Sequence, residues 1–254
     1  MSLLQFESFS LQKNILHFVT TKHGGVSKGN YESLNLSYSV EDDPDLVTQN
    51  RKILAYSIGL SADRLKIPQQ THSSNIAVVT EKNIYHEFDN TDALITSVRN
   101  CCIAVLCADC APILLYDRHN HVSAVVHAGW RGTVKRIVQA VIAEMQDKFN
   151  TRPEYLCAAI GPCISQAAYE TGPEVAEQFM SLYGENTPIV QVNKTTGKFH
   201  VDIALANREQ LMKSGVSETH IELSNICTYS NHDKFFSARK CKPTGRLAAG
   251  IILI

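Results

Sequence analysis

The chain has almost no net charge: 24 Lys and Arg face 25 Asp and Glu over 254 residues, a formal charge of −1. This excludes a whole-molecule field able to gather nucleic acid or an anionic membrane surface. Any charged ligand must be recognised by a few placed side chains. No stretch reaches the roughly 18 apolar residues of a spanning helix, because Asp109 interrupts the most apolar region. Met1 to Glu7 offers neither a basic start nor a long apolar core, so a secretory leader is not expected and a cytoplasmic location is. Low-complexity tracts, Pro/Gly/Ser linkers and repeats of 20–50 residues are also missing, which removes solenoids and linked arrays and leaves one continuous domain over 1–254.

What the chain does have is 8 Cys beside 10 His in an otherwise ordinary composition of 44% hydrophobic and 19% charged residues. A chain of this length buries most of its apolar surface without covalent staples, and a cytoplasmic protein has little use for disulfides. Most of the thiols are therefore expected to be small core residues, with one or a few acting as ligands or nucleophiles.

Hydrophobic patterning alternates strands with helices. Ile15 to Thr20, Arg64 to Gln69, Asn75 to Thr80, Cys101 to Cys107, Pro112 to Tyr116, Val122 to Val126, Tyr155 to Ile160 and Leu247 to Ile254 read as strands. Asp45 to Gly59, Val134 to Phe149, Pro173 to Tyr183 and Ile203 to Lys213 read as helices. Hairpin-linked strands are too many for a doubly wound fold, so the expected class is α/β (α+β) with a mixed or antiparallel sheet arrangement covered by helices.

Cys107-Ala108-Asp109-Cys110 is a C-x-x-C without the second pair that a zinc ribbon requires, and it lies between two strands rather than at a helix start as a redox motif would. Cys107 then belongs to the core and Cys110 to a strand end. His127 ends the strand that follows, just before the small residues of Ala128-Gly129-Trp130-Arg131-Gly132, and His72 lies in a loop after another strand. A lone strand-end histidine is usually a hydrogen-bonded core residue. Three N/S donors on strand ends with no fourth are instead the pattern of an open zinc site.

Further motifs run the length of the chain: Thr21-Lys22-His23-Gly24-Gly25-Val26-Ser27, Ser33-Leu34-Asn35-Leu36, Gln70-Thr71-His72-Ser73, Asp92-Ala93-Leu94-Ile95-Thr96, Ala108-Asp109-Cys110-Ala111-Pro112, His127-Ala128-Gly129-Trp130-Arg131-Gly132-Thr133, Ile160-Gly161-Pro162-Cys163-Ile164, Tyr169-Glu170, Phe236-Ser237-Ala238-Arg239 and Thr244-Gly245-Arg246. In this order they resemble the laccase-domain (YfiH-like, polyphenol oxidase-like) family of zinc-containing purine nucleoside phosphorylases. The resemblance implies layered mixed β-sheets covered by helices, a single-domain fold similar to the toxin deamidases and YfiH-like proteins, and metal ligands at His72, Cys110 and His127. Catalysis would centre on Cys110 and His127. The chain departs from the family pattern at Lys22, where arginine is usual, and at Ser73, where glycine is common; Lys22 keeps the charge without the bidentate fork.

Lys22, Asn35, Gln70, Asp92, Arg131, Arg239 and Arg246 are the substrate-binding candidates, each with a plainer alternative as a loop-closing, capping or solvated residue. Trp130, the sole tryptophan, is either packing or a base-stacking surface.

The resemblance implies phosphorolysis of adenosine, inosine, guanosine and methylthioadenosine, with adenosine deamination alongside. Zinc is the expected metal and copper the alternative; purine nucleosides and phosphate are the expected partners. The deaminase signature H-x-E with P-C-x-x-C is not met, since Pro162-Cys163-Ile164-Ser165-Gln166 fails at its last position. Three other readings stand beside it: a Cys110–His127 hydrolase or amidase, a copper-dependent polyphenol oxidase, and a binding module without turnover. The oxidase is disfavoured because His119-Asn120-His121 is the only H-x-H.

Overall fold

The computed structural model describes residues 2–254. Two large sheets lie face to face. The first runs β1 (Leu3–Leu4), β2 (Ile15–Thr20), β14 (Leu247–Leu253), β6 (Cys102–Cys107) and β3 (Leu65–Lys66). The second runs β13 (Ile221–Leu223), β9 (Leu156–Ile160), β7 (Ala111–Asp117), β8 (Val122–Ala128), β5 (Ala93–Thr96) and β4 (Ile76–Val79). A small third sheet orders β10 (Glu170–Thr171), β12 (Phe199–Val201) and β11 (Val190–Val192). Both large sheets are mixed: β14 is antiparallel to its two neighbours, whereas β3 with β6, β4 with β5 and β13 with β9 are parallel.

The period-two alternation of the strands builds the layers. Ile103, Val105 and Cys107 of β6 meet Leu114 and Tyr116 of β7 and Val125 of β8 between the sheets. The intervening Cys102, Ala104 and Leu106 face outward and are covered by Leu54 of α2 (Pro44–Ser57) and by Leu34 and Leu36. On the other side, Ile113 and Leu115 of β7 and Ala124 and Val126 of β8 are covered by α4 (Ile137–Phe149), α5 (Pro173–Tyr183) and α6 (Ile203–Lys213). Central strands buried on both faces explain why their sequences are continuous apolar runs. Truncating one such residue, Leu114 for example, costs about 2–5 kcal/mol. The short α1 (Glu7–Ser10) closes the N-terminal edge, and α3 (Trp130–Val134) follows β8 directly.

Local chemistry places the helix ends. Asp43 caps α2 by accepting the Asp45 amide at 2.9 Å with Pro44 at the first helical position, and Asp202 caps α6 by accepting the Leu205 amide at 2.8 Å.

Two expected elements differ. The helix expected over Val134 to Phe149 is broken, because Arg136 takes a left-handed conformation (φ 60°) between the end of α3 and the start of α4. The apolar stripe of Ile137, Val138, Val141, Ile142 and Met145 lies wholly within α4 and begins just after the break, so it carries no mark of where the helix starts. The strand expected over Arg64 to Gln69 shrinks to β3 after a short 3-10 turn at Ala62–Arg64, Pro68 having no N–H to donate to a ladder. Among the described residues no helix is long and apolar enough to cross a membrane.

Candidate metal centre and its cleft

The antiparallel pairing of β7 with β8 sets Ala111 opposite Ala128 and Pro112 opposite His127. Cys110, the residue before β7, thus stands next to His127 near the end of β8. β5 pairs with the other edge of β8, Ala93 opposite Val126, and carries Asp92 at its start. The loop from β3 to β4 passes over Asp92 and brings His72 to the same point. The Cys110 sulfur and the ring nitrogens of His72 and His127 lie within 4.8 Å of one another. Cys110 Sγ is 3.9 Å from His72 Nε2, and the two imidazoles meet edge to face at 4.9 Å between centroids.

Asp92 organises the cluster. Its fully buried carboxylate accepts the amides of Thr71, His72 and Ser73, the Ser73 hydroxyl, and His127 Nδ1 at 2.7 Å. A ring that donates through Nδ1 leaves its Nε2 lone pair for a metal, the carboxylate–histidine–metal relay. Burial pushes the Asp92 carboxyl up, but the bonds from His127 and Ser73 outweigh it and hold it down at about 2. Burial likewise opposes charge on Cys110 and His127. The imidazoles beside Cys110 bring its thiol down to about 6, and the Cys110 thiolate and Asp92 together lift His127 to about 9. One soft thiolate and two imidazoles, oriented from behind and open on the remaining side, fit a tetrahedral metal of zinc type. Among the described residues this is the one group of three or more Cys, His, Asp or Glu donors so gathered.

The flanking backbone is constrained. His72 (φ 58°) and Asp109 (φ 90°) both occupy the left-handed region. Asp109 is held there by Thr228 Oγ1 and the Arg239 amide on its carboxylate, at 2.6 and 2.7 Å, and by the Ile164 amide on its carbonyl. Gly129 leaves space for the sulfur: a Cβ there would sit 2.9 Å from Cys110 Sγ.

The cluster opens into a cleft of about 1080 Å³. Its cationic lining comprises Arg51, Lys66, Arg239, Lys242 and Arg246, and among the described residues none of the five has a carboxylate within ion-pair distance. Tyr169 and Phe88 supply aromatic wall. Burial, reinforced by the Cys110 charge, pushes the Tyr169 phenol up to about 12, so it stays protonated at neutral pH.

Over residues 16–254 the chain matches the family described as "Multi-copper polyphenol oxidoreductase laccase". The chain belongs to this laccase-domain family. It is 39% identical to a purine nucleoside phosphorylase of Bacteroides thetaiotaomicron, covering 99% of this chain and 96% of that one. It is 37% identical to adenosine deaminase RL5 from an unknown prokaryotic organism, covering 98% and 99%. The crystal structure of a Bacillus licheniformis hypothetical protein YfiH superposes with a TM-score of 0.93 at 28% identity, covering 100% of this chain and 97% of that one. YlmD from Geobacillus stearothermophilus superposes at 0.91 with 29% identity, covering 100% and 96%. The layered mixed sheets expected from the resemblance are those of the laccase-domain fold.

The substrate-binding candidates are dispersed. Arg239 and Arg246 line the cleft; Arg239 also stacks over Tyr169 and donates to the Glu170 carbonyl. Gln70 lines it too, with its amide already tying β6 in place through the Leu106 N–H and carbonyl. Asp92 and Asn35 are wholly buried and take the plainer of their two readings, tying loops together. Asn35 bonds Asp42, the Ser37 carbonyl and amide, and the Arg246 amide. The Lys22 ammonium donates to the His232 carbonyl, away from the cleft lining. Arg131 lies over Trp130 at 4.3 Å and borders a separate shallow hollow beside α5, which also gives Trp130 its place.

His119 and His121 sit in the turn at the far end of the β7–β8 hairpin, His119 stacked on Tyr155 and His121 bonded to the Tyr116 hydroxyl. Arg51 and Lys66 were not anticipated. Arg51 carried a signal: it stands midway between Val47 and Ala55, four residues from each on the buried stripe of α2, where a cation needs a reason to be.

Proposed function

We propose that the chain is a purine nucleoside phosphorylase with an accompanying adenosine deaminase activity, holding zinc on His72, Cys110 and His127. The observation that carries this is the His/Cys/His cluster opening into a cleft with unpaired cations, in a chain similar over its full length to proteins named for those activities. Adenosine, inosine, guanosine and methylthioadenosine are the proposed substrates, with phosphate attacking the ribose anomeric carbon as the bond to the base breaks. Residues 1–254 form one domain in this reading, since C-terminal β14 sits between β2 and β6. The setting is cytoplasmic, without nucleic-acid or membrane partners.

The residues divide the work. His72, Cys110 and His127 hold the metal, which when bound supplies Lewis-acid polarisation of substrate oxygen or water. Asp92 keeps His127 in the ligating tautomer. Arg239, Arg246, Arg51 and Lys242 provide charge for phosphate, Arg giving the planar fork that matches its oxygens. Tyr169 and Phe88 offer faces to a purine.

Adenosine incubated with and without phosphate tests both activities. Ribose 1-phosphate and free base are expected only with phosphate, and ammonia in either case; ammonia without any ribose 1-phosphate leaves only the deaminase. Metal analysis of protein made without added copper is expected to return zinc. The Cys–His hydrolase reading rests on the lowered Cys110 thiol beside a raised His127. Iodoacetamide separates the two: a metal-bound thiolate resists alkylation until a chelator is added, whereas immediate inactivation of the metal-replete protein supports the hydrolase.

A further inference from the structure

Two thiols outside the metal cluster are set side by side by the backbone. Cys163, in the turn after β9, and Cys227, in the segment after β13, are opposite residues of an isolated parallel bridge. The Cys163 amide donates to the Ile226 carbonyl at 3.2 Å, and the Thr228 amide donates to the Cys163 carbonyl at 3.0 Å. Opposed residues on neighbouring extended segments lie about 5 Å apart between Cα atoms, with side chains on the same face. That separation is within the span of a disulfide.

The two sulfurs have different surroundings. Cys227 is half-buried, and its sulfur accepts the Ser165 amide at 3.3 Å and the Ser165 hydroxyl at 3.0 Å. Burial raises the Cys227 thiol, but donation from Ser165 and Ser230 brings it below its ordinary value. Cys163 is only 6% exposed and burial pushes its thiol up. An accessible sulfur with hydrogen-bond donors aimed at it, beside a buried neutral thiol, has the asymmetry of an attacking and a resolving cysteine. The other thiols lack this pairing of features. Cys101, Cys102, Cys107 and Cys157 are buried with raised thiols, and Cys241 is exposed.

We propose that Cys227 is a site of oxidation by hydrogen peroxide, with Cys163 as its resolving partner. The Cys227 thiolate attacks one peroxide oxygen and the O–O bond breaks. Cys227 becomes a sulfenic acid, and the other oxygen leaves as hydroxide, which takes up a proton to become water. The Cys163 sulfur then attacks the Cys227 sulfur; the S–O bond breaks, and the hydroxyl departs as water with the Cys163 proton. Two thiols lose two electrons and two protons, and one peroxide becomes two waters. The product ties together segments that both grip Asp109, whose carboxylate accepts Thr228 and whose carbonyl accepts the Ile164 amide, one residue before Cys110.

The test treats metal-loaded protein with graded hydrogen peroxide, alkylates the remaining thiols and maps the peptides by mass spectrometry. The expected first product is a linked Cys163–Cys227 peptide that has lost two hydrogens and is reversed by dithiothreitol. It should form about tenfold or more faster than any product at exposed Cys241. In Cys163→Ser the crosslink should be replaced by a dimedone adduct on Cys227. Oxidation that begins at Cys110 or Cys241 while Cys163 and Cys227 stay reduced overturns the proposal, and so does stable over-oxidation of Cys227 without the crosslink. The wild-type map decides the matter even if the variant does not fold.

Discussion

His17 and His127 are buried to nearly the same degree, 3% and 4% exposed, yet their surroundings drive them in opposite directions. His17, on β2, lies against Phe6 and Phe9, with ring centroids 5.9 and 5.3 Å away. Its Nε2 accepts the Phe6 amide at 2.7 Å, a bond only an unprotonated nitrogen can take. Burial lowers it to about 4, with Glu222 too weak a counterweight to restore it. Burial opposes charge on His127 as well, but the Cys110 thiolate and the Asp92 carboxylate lift it to about 9. Loss of water acts in the same direction in both pockets, so it is not what separates them. What makes one a site is a pair of anionic partners delivered by neighbouring strand ends, and what makes the other inert is their absence.

Removing the carboxylate is the largest break in that contrast. Asp92→Asn takes away the negative charge while keeping one acceptor, so three loop amides, the Ser73 hydroxyl and His127 compete for a weaker group. Metal affinity should fall by roughly 10–100-fold, as for other losses behind a ligating histidine. Folding stability should fall by about 3 kcal/mol, the cost of unpairing a buried charge. Metal titration and urea unfolding of the variant check both. An unchanged metal affinity would falsify the role given to Asp92.

On the His17 side the expected effect is smaller and depends on pH. The folded value near 4 lies below the unfolded 6.5, so the unfolded chain binds more protons in between. Stability is then complete above about pH 6.5 and declines as pH falls toward 4, by about 2 kcal/mol after allowance for partial solvent screening. His17→Gln can still accept from the Phe6 amide but does not titrate. Its urea stability between pH 7 and pH 4 should therefore fall less than that of the parent by about that amount. Parallel curves for the two proteins would show that His17 is already neutral in the unfolded chain or charged in the folded one. For His127 the sign is reversed: in the metal-free protein its proton is retained until pH passes about 9, so metal binding at neutral pH must displace it and strengthens as pH rises.

How much of this was legible beforehand follows from which residues depend on local pattern. Cys110 and His127 end apolar runs, and two such runs joined by a polar turn form a hairpin whose ends meet, so their proximity could be read from sequence. His72 reaches them only through a loop anchored on Asp92, and nothing near His72 announces that anchor; the pattern offered it as a third donor beside a strand, and family likeness agreed. Asp92 and Asn35 read equally as ligand-binding or loop-closing polar groups, because burial of a satisfied polar side chain leaves no mark on hydropathy. The break at Arg136 was invisible since a left-handed residue other than glycine leaves no mark on hydropathy and the apolar stripe begins only after it, and the cleft's cations come from α2, β3 and the C-terminal loops, which only the tertiary fold assembles. The core strands were the most readable part, their two buried faces giving unbroken runs of apolar residues.

The smallest expected effect separates space from charge. Gly129 has ordinary dihedrals, φ −73° and ψ 173°, so alanine is tolerated by the backbone, but its Cβ would lie 2.9 Å from Cys110 Sγ and 3.2 Å from His72 Cδ2. The sulfur and ring must shift by a few tenths of an ångström, which disturbs ligand geometry without removing a ligand. Gly129→Ala should weaken metal binding by several-fold, on the order of 1 kcal/mol, and change folding stability by less than that. Gly250→Ala is the matching change in the closed core, where a Cβ would meet the Phe18 ring at 2.7 Å and Ala104 at 3.0 Å. It should cost about 1–3 kcal/mol of stability by overpacking and leave metal affinity unchanged. Measuring both affinities and both unfolding curves gives a cross of two variants by two readouts. If Gly250→Ala weakened the metal as much as Gly129→Ala does, the cluster's affinity would depend on overall packing, not on the strand ends that deliver its anions.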